Sequence, residues 1–269
     1  LMVLLNYNKN SKGEKQMKKL AALVLSFGML FSMAACSGSK VSDDALDKLE
    51  SSVKKFSEVK NANYSADMDM TVDKENAKIK LYGGFISETK KPLQLSMIMD
   101  MEASGQKLEK YMQLFVKDDT MYLNMMDMMK QKTSLKDAMG TASIPNVNFD
   151  ADTFKMNKED MKKFLKEASV KGNDLKLSFD VEKLNEETKK ETEKNNVTDA
   201  NVEFKKLDMD VTLNNDFMEK AVITMEMTNT KGETKQEMNG TISLTVKDIN
   251  KVSSIDFPDF KDYKEGSIE

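Results

Sequence analysis

Hydrophobic and polar residues alternate with a period of two over most of the chain after residue 60. Between Tyr64 and Val72, apolar side chains occupy every second position, and Ser65, Asp67 and Asp69 lie between them. Such alternation predicts antiparallel strands with one buried and one solvated face. About nine strands of this kind are predicted, over residues 64–72, 78–85, 93–101, 112–116, 121–125, 175–181, 202–213, 221–227 and 238–246.

Short polar interruptions separate these strands and predict hairpin loops. Within the strands, Gly83-Gly84 predicts a bulge or a strong bend, and the doubled Lys205-Lys206 predicts a bulge because it breaks the alternation. The predicted loops are Lys74-Glu75-Asn76, Glu88–Pro92, Gly105, Asp118-Asp119, Asn214-Asn215-Asp216 and Thr230–Thr234.

Helical spacing appears in a few segments. Ser42 or Asp43 can cap a helix that runs to about Val59, with one apolar stripe along it. The polar segment Leu184–Asn196 is either an exposed helix or a long loop, and Thr141–Asp152 is predicted to be a loop. Three further segments are predicted. Met125–Met139 forms a short helix ending at Gly140, and a second helix is capped by Asn157. This second helix has Met161, Phe164, Leu165 and Ala168 on one face, and the tail is held by Ile255, Phe257 and Phe260.

The composition excludes several kinds of chemistry. The chain has no His, no Trp and one Cys, and all 41 of its basic residues are Lys. Without His there is no imidazole base and no His metal site. Without Arg there is no guanidinium group to bind a phosphate or a nucleic-acid base through two parallel hydrogen bonds. No cofactor, metal site, catalytic constellation or nucleic-acid partner is therefore predicted, and the chain is not expected to be an enzyme.

The region before the only cysteine has the layout of an export signal. Met17-Lys18-Lys19 is followed by an apolar run to Leu30, which is shorter than the roughly 20 residues of a membrane span. Ala34 and Ala35 before Cys36 resemble a bacterial lipobox. The resemblance implies cleavage between Ala35 and Cys36, a diacylglyceryl cysteine with fatty acyl chains such as palmitate, and a lipoprotein on the outer face of the membrane of a Gram-positive bacterium. The alternative is an ordinary secretory signal that leaves a thiol at Cys36.

These features divide the chain into four parts. Residues 1–16 are predicted to be an upstream extension that is not translated, because Lys12–Met17 can be back-translated to a ribosome-binding GGAG before ATG. Residues 17–35 are the lipoprotein signal peptide, 36–42 a lipidated tether, and 43–269 one domain. Removing the five lysines and one glutamate of residues 1–35 leaves 36 basic and 44 acidic residues. This acidic balance disfavours nucleic-acid binding.

A sheet with one apolar face must bury that face, and the helical segments can supply the cover. The order of tether, helix, strand meander, helical insert and second meander resembles the LolA/LppX/LprG-like group of bacterial lipoproteins and lipid carriers. The resemblance implies an α+β fold with a large, curved, unclosed antiparallel half-barrel, helices over its concave face and space for acyl chains. LolA relies on an arginine that this chain lacks, so its chaperone mechanism is not carried over.

Nineteen methionines follow Cys36, many of them at alternating strand positions. They can be ordinary core residues, an adaptable surface for a flexible apolar ligand, or, at Met125-Met126-Asp127-Met128-Met129, a thioether site for Cu(I). The lining predicted for an apolar ligand is Met68, Met70, Leu95, Met97, Met99, Met112, Leu114, Met209, Met225, Met227, Ile242 and Leu244.

Two functions are compatible with this sequence. The first is a membrane-anchored extracytoplasmic lipoprotein whose half-barrel binds an apolar or lipid ligand. The second is a structural or protein-interaction module on the cell surface without a ligand. Neither the identity of a ligand nor the oligomeric state follows from the sequence.

Overall fold

The computed structural model describes residues 40–87, 92–140, 158–194, 201–231 and 234–266. The predicted signal peptide, Cys36, the cap at Asn157 and the loop Thr141–Asp152 lie outside these ranges, as do most of the Glu88–Pro92 loop and the centre of the Thr230–Thr234 loop. Within the described residues, no helix is long and apolar enough to cross a membrane.

Four helices and twelve strands make up the described chain. The helices are α1 Asp43–Ser57, α2 Leu135–Gly140, α3 Lys158–Phe164 and α4 Val181–Lys194. The strands are β1 Asn61–Val72, β2 Glu75–Ile86, β3 Gln94–Ala103, β4 Gln106–Lys117, β5 Thr120–Met125, β6 Met129–Ser134, β7 Leu165–Lys171, β8 Asp174–Phe179, β9 Asn201–Asn214, β10 Phe217–Lys231, β11 Thr234–Lys247 and β12 Lys264–Glu265.

The strands form one open sheet in the order β12-β6-β5-β4-β3-β2-β1-β11-β10-β9-β8-β7. All neighbours pair antiparallel except β12 and β6, which are parallel. Because β12 and β7 remain at the two ends of this order, the sheet is not closed into a barrel. The expected α+β fold with an unclosed half-barrel is confirmed.

The sheet bends at Gly83, as the sequence predicted. A Cβ atom at Gly83 would lie 1.8 Å from the carbonyl oxygen of Ser96 on β3, so only glycine permits this approach of β2 and β3. Tyr64 on β1 is opposite Gly83 on β2, yet its hydroxyl donates a hydrogen bond to the Ser96 carbonyl at 2.9 Å. A side chain that reaches past its neighbouring strand requires strong curvature at this point. The register across Gly83-Gly84 is continuous, so the feature is a bend and not a bulge.

Helix α1 begins where the sequence predicted. The Ser42 hydroxyl accepts a hydrogen bond from the Ala45 amide at 3.4 Å. Asp43 and Asp44 occupy the first turn, where negative charge interacts favourably with the positive end of the helix dipole. The buried residues of its inner face are Ala45, Leu46, Leu49 and Ser52. The stripe predicted from helical spacing is Ala45, Leu49, Val53 and Phe56, so Leu46 and Ser52 are additional buried residues.

Two predicted elements were wrong. Met125–Met139 is mainly a hairpin, with β6 at 129–134, and only its last part is helical, as α2 ending at Gly140. The helix through Met161, Phe164, Leu165 and Ala168 ends at Phe164, and Leu165–Lys171 is strand β7. The sheet has twelve strands, in keeping with an expected nine or more, and β6, β7 and β12 are the three that were not recognised in the sequence.

Other details agree with the prediction. Lys205 is the extra residue of a bulge, since Lys206 pairs with Glu226 and Phe204 with Met227. The polar segment after residue 181 is a helix, α4, with Leu184 buried. Asp118-Asp119 and Asn215-Asp216 are two-residue hairpin turns with positive φ.

The tail packs on the convex side of the sheet. The Phe260 ring stacks on Tyr122 of β5 with a centroid distance of 3.8 Å and contacts the edge of Phe115 of β4 at 5.8 Å. Phe257 contacts the same Phe115 ring at 6.3 Å. Ile255 lies against Gly84. The prediction that these three tail residues hold the C-terminal segment is confirmed.

The segment before α1 also joins the sheet. Val41 pairs in parallel with Ala168 of the edge strand β7. The Ser42 amide donates to the Ala168 carbonyl at 2.9 Å, and the Ala168 amide donates to the Lys40 carbonyl at 3.2 Å. The last residues of the predicted tether are therefore part of the domain.

Candidate functional site

One face of the sheet is apolar over nearly its whole width. Met68 on β1 is opposite Ile79 on β2 and Ile242 on β11, and Ile242 is in turn opposite Ile223 on β10. Because side chains alternate between the two faces of a strand, these register partners share a face. The row continues through Met209 on β9.

All twelve residues predicted to line an apolar ligand lie on this concave face. They differ in burial. Met68, Met70, Met112, Met225, Met227 and Ile242 are buried, whereas Leu95, Met97, Met99, Leu114, Met209 and Leu244 are partly exposed and pack against the buried cluster.

The described helices that contact the sheet lie toward its two ends, most of them over β7–β10. Helices α1 and α3 pack over β7–β10, and side chains beneath them, such as Leu175 at 0% and Val211 at 1%, are inaccessible to solvent. Helix α4 contacts β9, and α2 contacts β5 and β6. Among the described helices, none packs closely on β1–β4. The expectation that helices cover the concave face therefore holds for part of the sheet.

The strands on which no described helix packs closely carry a continuous group of partly exposed apolar side chains, which we call the open patch. Met97 on β3 is opposite Leu114 on β4, and Met99 is opposite Leu81 on β2. Leu95 continues the same face of β3. Leu81 was not in the predicted lining, although its place in the strand alternation could have indicated it. The open patch spans three strands and offers flexible thioether and leucine side chains to an apolar molecule.

Tyr64 lies beside the open patch. Its hydroxyl is engaged with the Ser96 carbonyl, and burial raises the pKa of this phenol well above its ordinary value. Opposite Met97, Gly83 has no side chain, which leaves the space that the tyrosine crosses. The patch is thus apolar, with a neutral hydroxyl at its margin.

The convex face has a different character. An open depression of about 300 Å³ lies over β1–β4. The carboxylates of Asp67, Asp69, Asp100 and Glu102 alternate there with Lys78, Lys80 and Lys107, and Lys78 forms an ion pair with Asp69 at 3.7 Å. Opposite charges on neighbouring strands support the sheet weakly. The sequence had not indicated this depression.

Adjacent carboxylates, as in Asp43-Asp44, Asp118-Asp119 and Glu186-Glu187, belong to caps, turns and helix surfaces. Asp43 is 3.4 Å from the Lys162 amine, Asp118-Asp119 forms a turn, and Glu187 pairs with Lys190 at 2.9 Å. Within the described residues, no group of three or more His, Cys, Asp or Glu side chains could hold a metal ion.

The proposed thioether site is divided by a hairpin turn. Met125 and Met129 form a cross-strand pair. Met126 lies in the turn, and Met128, which follows it, has 71% of its surface exposed. This arrangement gives no converging set of four sulfur atoms around one point.

Residues 44–261 match the model of a family of unknown function (DUF6612). The chain belongs to this family. No curated protein matches this DUF6612 chain.

Several solved structures resemble this DUF6612 protein at low identity. LprF from Mycobacterium bovis is 9% identical with a TM-score of 0.40, and the match covers 82% of this chain and 99% of that one. A DUF1329 family protein from Desulfovibrio piger is 11% identical with a TM-score of 0.26, covering 78% and 93%. Both TM-scores are below 0.5, so the predicted relation to the LolA/LppX/LprG-like group stays a prediction.

Proposed function

We propose that this protein is a membrane-anchored lipoprotein on the outer face of the cell membrane, and that the open patch binds an acyl chain of a lipid. Cys36 carries the anchor, with cleavage of the signal after Ala35. The domain has a binding role and no catalytic one.

The observation that carries this proposal is the contrast between the two halves of the concave face. Beneath α1 and α3 the apolar side chains are fully buried, but on β2–β4 the equally apolar Leu81, Leu95, Met97, Met99 and Leu114 remain partly exposed. A contiguous apolar surface in contact with water is unfavourable and typically marks a binding site. Each methylene group buried there stabilises a bound chain by about 0.8 kcal/mol.

An acyl chain fits this surface better than a rigid ligand does. The patch has two methionines at its centre, and unbranched thioether side chains adapt to an irregular alkyl chain. The hydroxyl of Tyr64 at its margin already donates to a backbone carbonyl. Recognition would therefore depend on apolar contact.

Proximity also supports a lipid. From Cys36 to Lys40, which is already bonded to β7, the chain has four residues and can extend at most about 14 Å. The domain would stand directly on the membrane, where lipids are the most abundant apolar molecules.

The test uses the acylated full-length protein purified from a Gram-positive host. Native mass spectrometry should detect a lipid bound in addition to the acyl groups on Cys36. Met97→Glu places a charge in the patch and should reduce lipid occupancy at least about tenfold. Ile98→Glu is the matched control, because the neighbouring residue points to the convex face, and it should retain the lipid.

Two results would contradict the proposal. One is a folded, acylated wild-type protein that carries no lipid and does not acquire one from vesicles. The other is equal occupancy in both variants. Capture of a protein partner by the patch would instead favour the surface interaction module.

A further inference from the structure

Three large apolar side chains are conspicuously exposed in the described chain. They are Met128 with 71% of its surface accessible, and Met126 and Leu108 with 37% each. Met126 and Met128 belong to the turn between β5 and β6, and Leu108 lies near the start of β4.

These three residues lie at similar levels of the sheet. Since β3 and β4 are joined at Ser104-Gly105 and β5 and β6 at Met126-Asp127, the antiparallel order directs both turns toward the end where β1 finishes. In the register of the sheet, Leu108 is level with Met68 of β1, and Met125, which precedes the second turn, is level with Ala66. We call this end the Met128 rim. The opposite rim contains the Asp118-Asp119 turn at the other end of β5.

The turn at Met126 does not have the residues that its backbone favours. Met126 and Asp127 have φ of 51° and 57°, and the Met128 amide donates to the Met125 carbonyl at 3.0 Å, as in a type I′ turn. Positive φ favours Asn, Asp or Gly and disfavours Met. The turns at Asp73-Lys74, Ser104-Gly105, Asp118-Asp119 and Asn215-Asp216 have polar residues or Gly at these positions. Folding therefore gives no reason for an exposed methionine here.

The chain approaches the domain from the side of the same rim. Val41 pairs in parallel with Ala168, so the chain before α1 runs in the direction of β7. Strand β7 runs away from the end of the sheet that holds the Met128 rim, because it is antiparallel to β8, which is antiparallel to β9, and β9 starts at that end. In the register of the sheet, Ala168 is level with Met68 of β1. Lys40 is thus on the Met128 side of Ser42.

From these placements we propose that the Met128 rim faces the membrane and that Met126, Met128 and Leu108 insert into its interfacial layer. This rests on the proposed lipid anchor at Cys36. The anchor holds the β7 edge of the half-barrel, and the three apolar side chains supply a second contact near the other edge. One contact alone would let the domain rotate about its tether, whereas two contacts orient it and turn the end of the open patch toward the lipids.

The contact is apolar and not electrostatic. Lysines do flank these residues, but Lys130 lies 3.4 Å from Asp127 and Lys107 lies 2.8 Å from Glu109. With their charges partly neutralised, such pairs attract anionic lipid weakly. The insertion should therefore depend little on salt or on the anionic lipid content.

The experiment measures the depth of each rim in the bilayer. Acylation blocks the thiol of Cys36, so a single introduced cysteine can carry a polarity-sensitive fluorophore in the full-length lipoprotein. Met128→Cys labels one rim, and Asp118→Cys labels the other end of β5, roughly 20 Å away. In phosphatidylglycerol/phosphatidylcholine vesicles we expect a blue-shifted emission, quenched by lipid-borne quenchers, at position 128 and not at 118.

A second measurement tests the side chains themselves. The unacylated chain that begins at residue 36, with Cys36→Ser and without the apolar signal segment, should sediment with vesicles. Met126→Ser with Met128→Ser should weaken this partitioning about tenfold, equally at low and high salt. Equal solvent exposure of labels 118 and 128, or unchanged partitioning of the double variant, would overturn the proposal.

The Met97→Glu variant should keep the rim signal, so failure of lipid binding and failure of membrane orientation are distinguishable. A mass spectrum without acyl groups on Cys36 would exclude the anchor on which the orientation rests.

Discussion

Replacing Gly83 by Ala tests whether the curvature of the sheet is imposed by the close approach of β2 and β3. The new Cβ would lie 1.8 Å from the Ser96 carbonyl oxygen, whereas ordinary contacts begin at 3.4 Å, so the strands must separate locally by up to about 1.6 Å. Such a shift disrupts about two ladder hydrogen bonds and the bond from Tyr64, each worth about 1 kcal/mol. We expect the free energy of unfolding to fall by about 3 kcal/mol.

The measurement is urea unfolding followed by far-UV circular dichroism, since the chain has no tryptophan. Gly105→Ala is the control: nothing lies within 4 Å of its Cβ, and its φ of +77° makes the cost about 1 kcal/mol. In the Gly83→Ala background, Tyr64→Phe should have almost no further effect, because its hydrogen bond is already lost. A cost at Gly83 no larger than that at Gly105, or a full Tyr64→Phe effect in both backgrounds, would refute a bend enforced by this contact.

Three further predictions concern other parts of the fold. Because burial raises the pKa of Tyr64, the tyrosine of the unfolded chain ionises at a lower pH than that of the folded protein. The free energy of unfolding should therefore be unaffected by this group below pH 10 and fall above pH 10 by up to about 1.4 kcal/mol per pH unit. When urea midpoints are compared at pH 9 and 11, the decline should be shallower in Tyr64→Phe. Asn185→Ala removes two hydrogen bonds to the backbone of Phe204, at 2.7 and 2.9 Å. The free energy of unfolding, measured with urea, should fall by about 2 kcal/mol, and a fall of less than about 0.5 kcal/mol would contradict this prediction. Phe260→Ala removes the ring that stacks on Tyr122 and should lower the free energy of unfolding by about 3 kcal/mol. The tyrosine signal in near-UV circular dichroism should also be lost. An unchanged near-UV spectrum would show that other contacts hold the tail.

Much of the sheet was predictable because one of its faces is apolar over long strands. In β9 the alternation is long enough on both sides of Lys205 for the break in phase to identify the bulge. Strand β7 has a bulge of the same kind between Leu165 and Glu167, which places the buried Leu165 and Ala168 three residues apart. Over seven residues this spacing is indistinguishable from a helical one, so the sequence predicted a helix.

The apolar face of the candidate site was also predictable, but its exposure was not. Met97 and Met225 have the same alternating pattern, yet Met225 is 2% exposed and Met97 is only partly buried. The difference depends on neighbours that are distant in sequence. Strand β6, Met129–Ser134, was missed because its residues are mostly polar and show no alternation.

The pairing of Lys40–Ser42 with β7 also affects how the molecule behaves among its own copies. An exposed edge strand presents unpaired amides and carbonyls that another sheet can join. Here Val41 covers the middle of β7, and at the other edge β12 pairs with β6. Proteins anchored on one membrane meet at high local density, where edge-to-edge association is most damaging. The two short segments that flank the domain thus keep an open sheet from growing. The segment before α1, which would lead to the proposed anchor, also protects the edge that such anchoring would bring close to other copies.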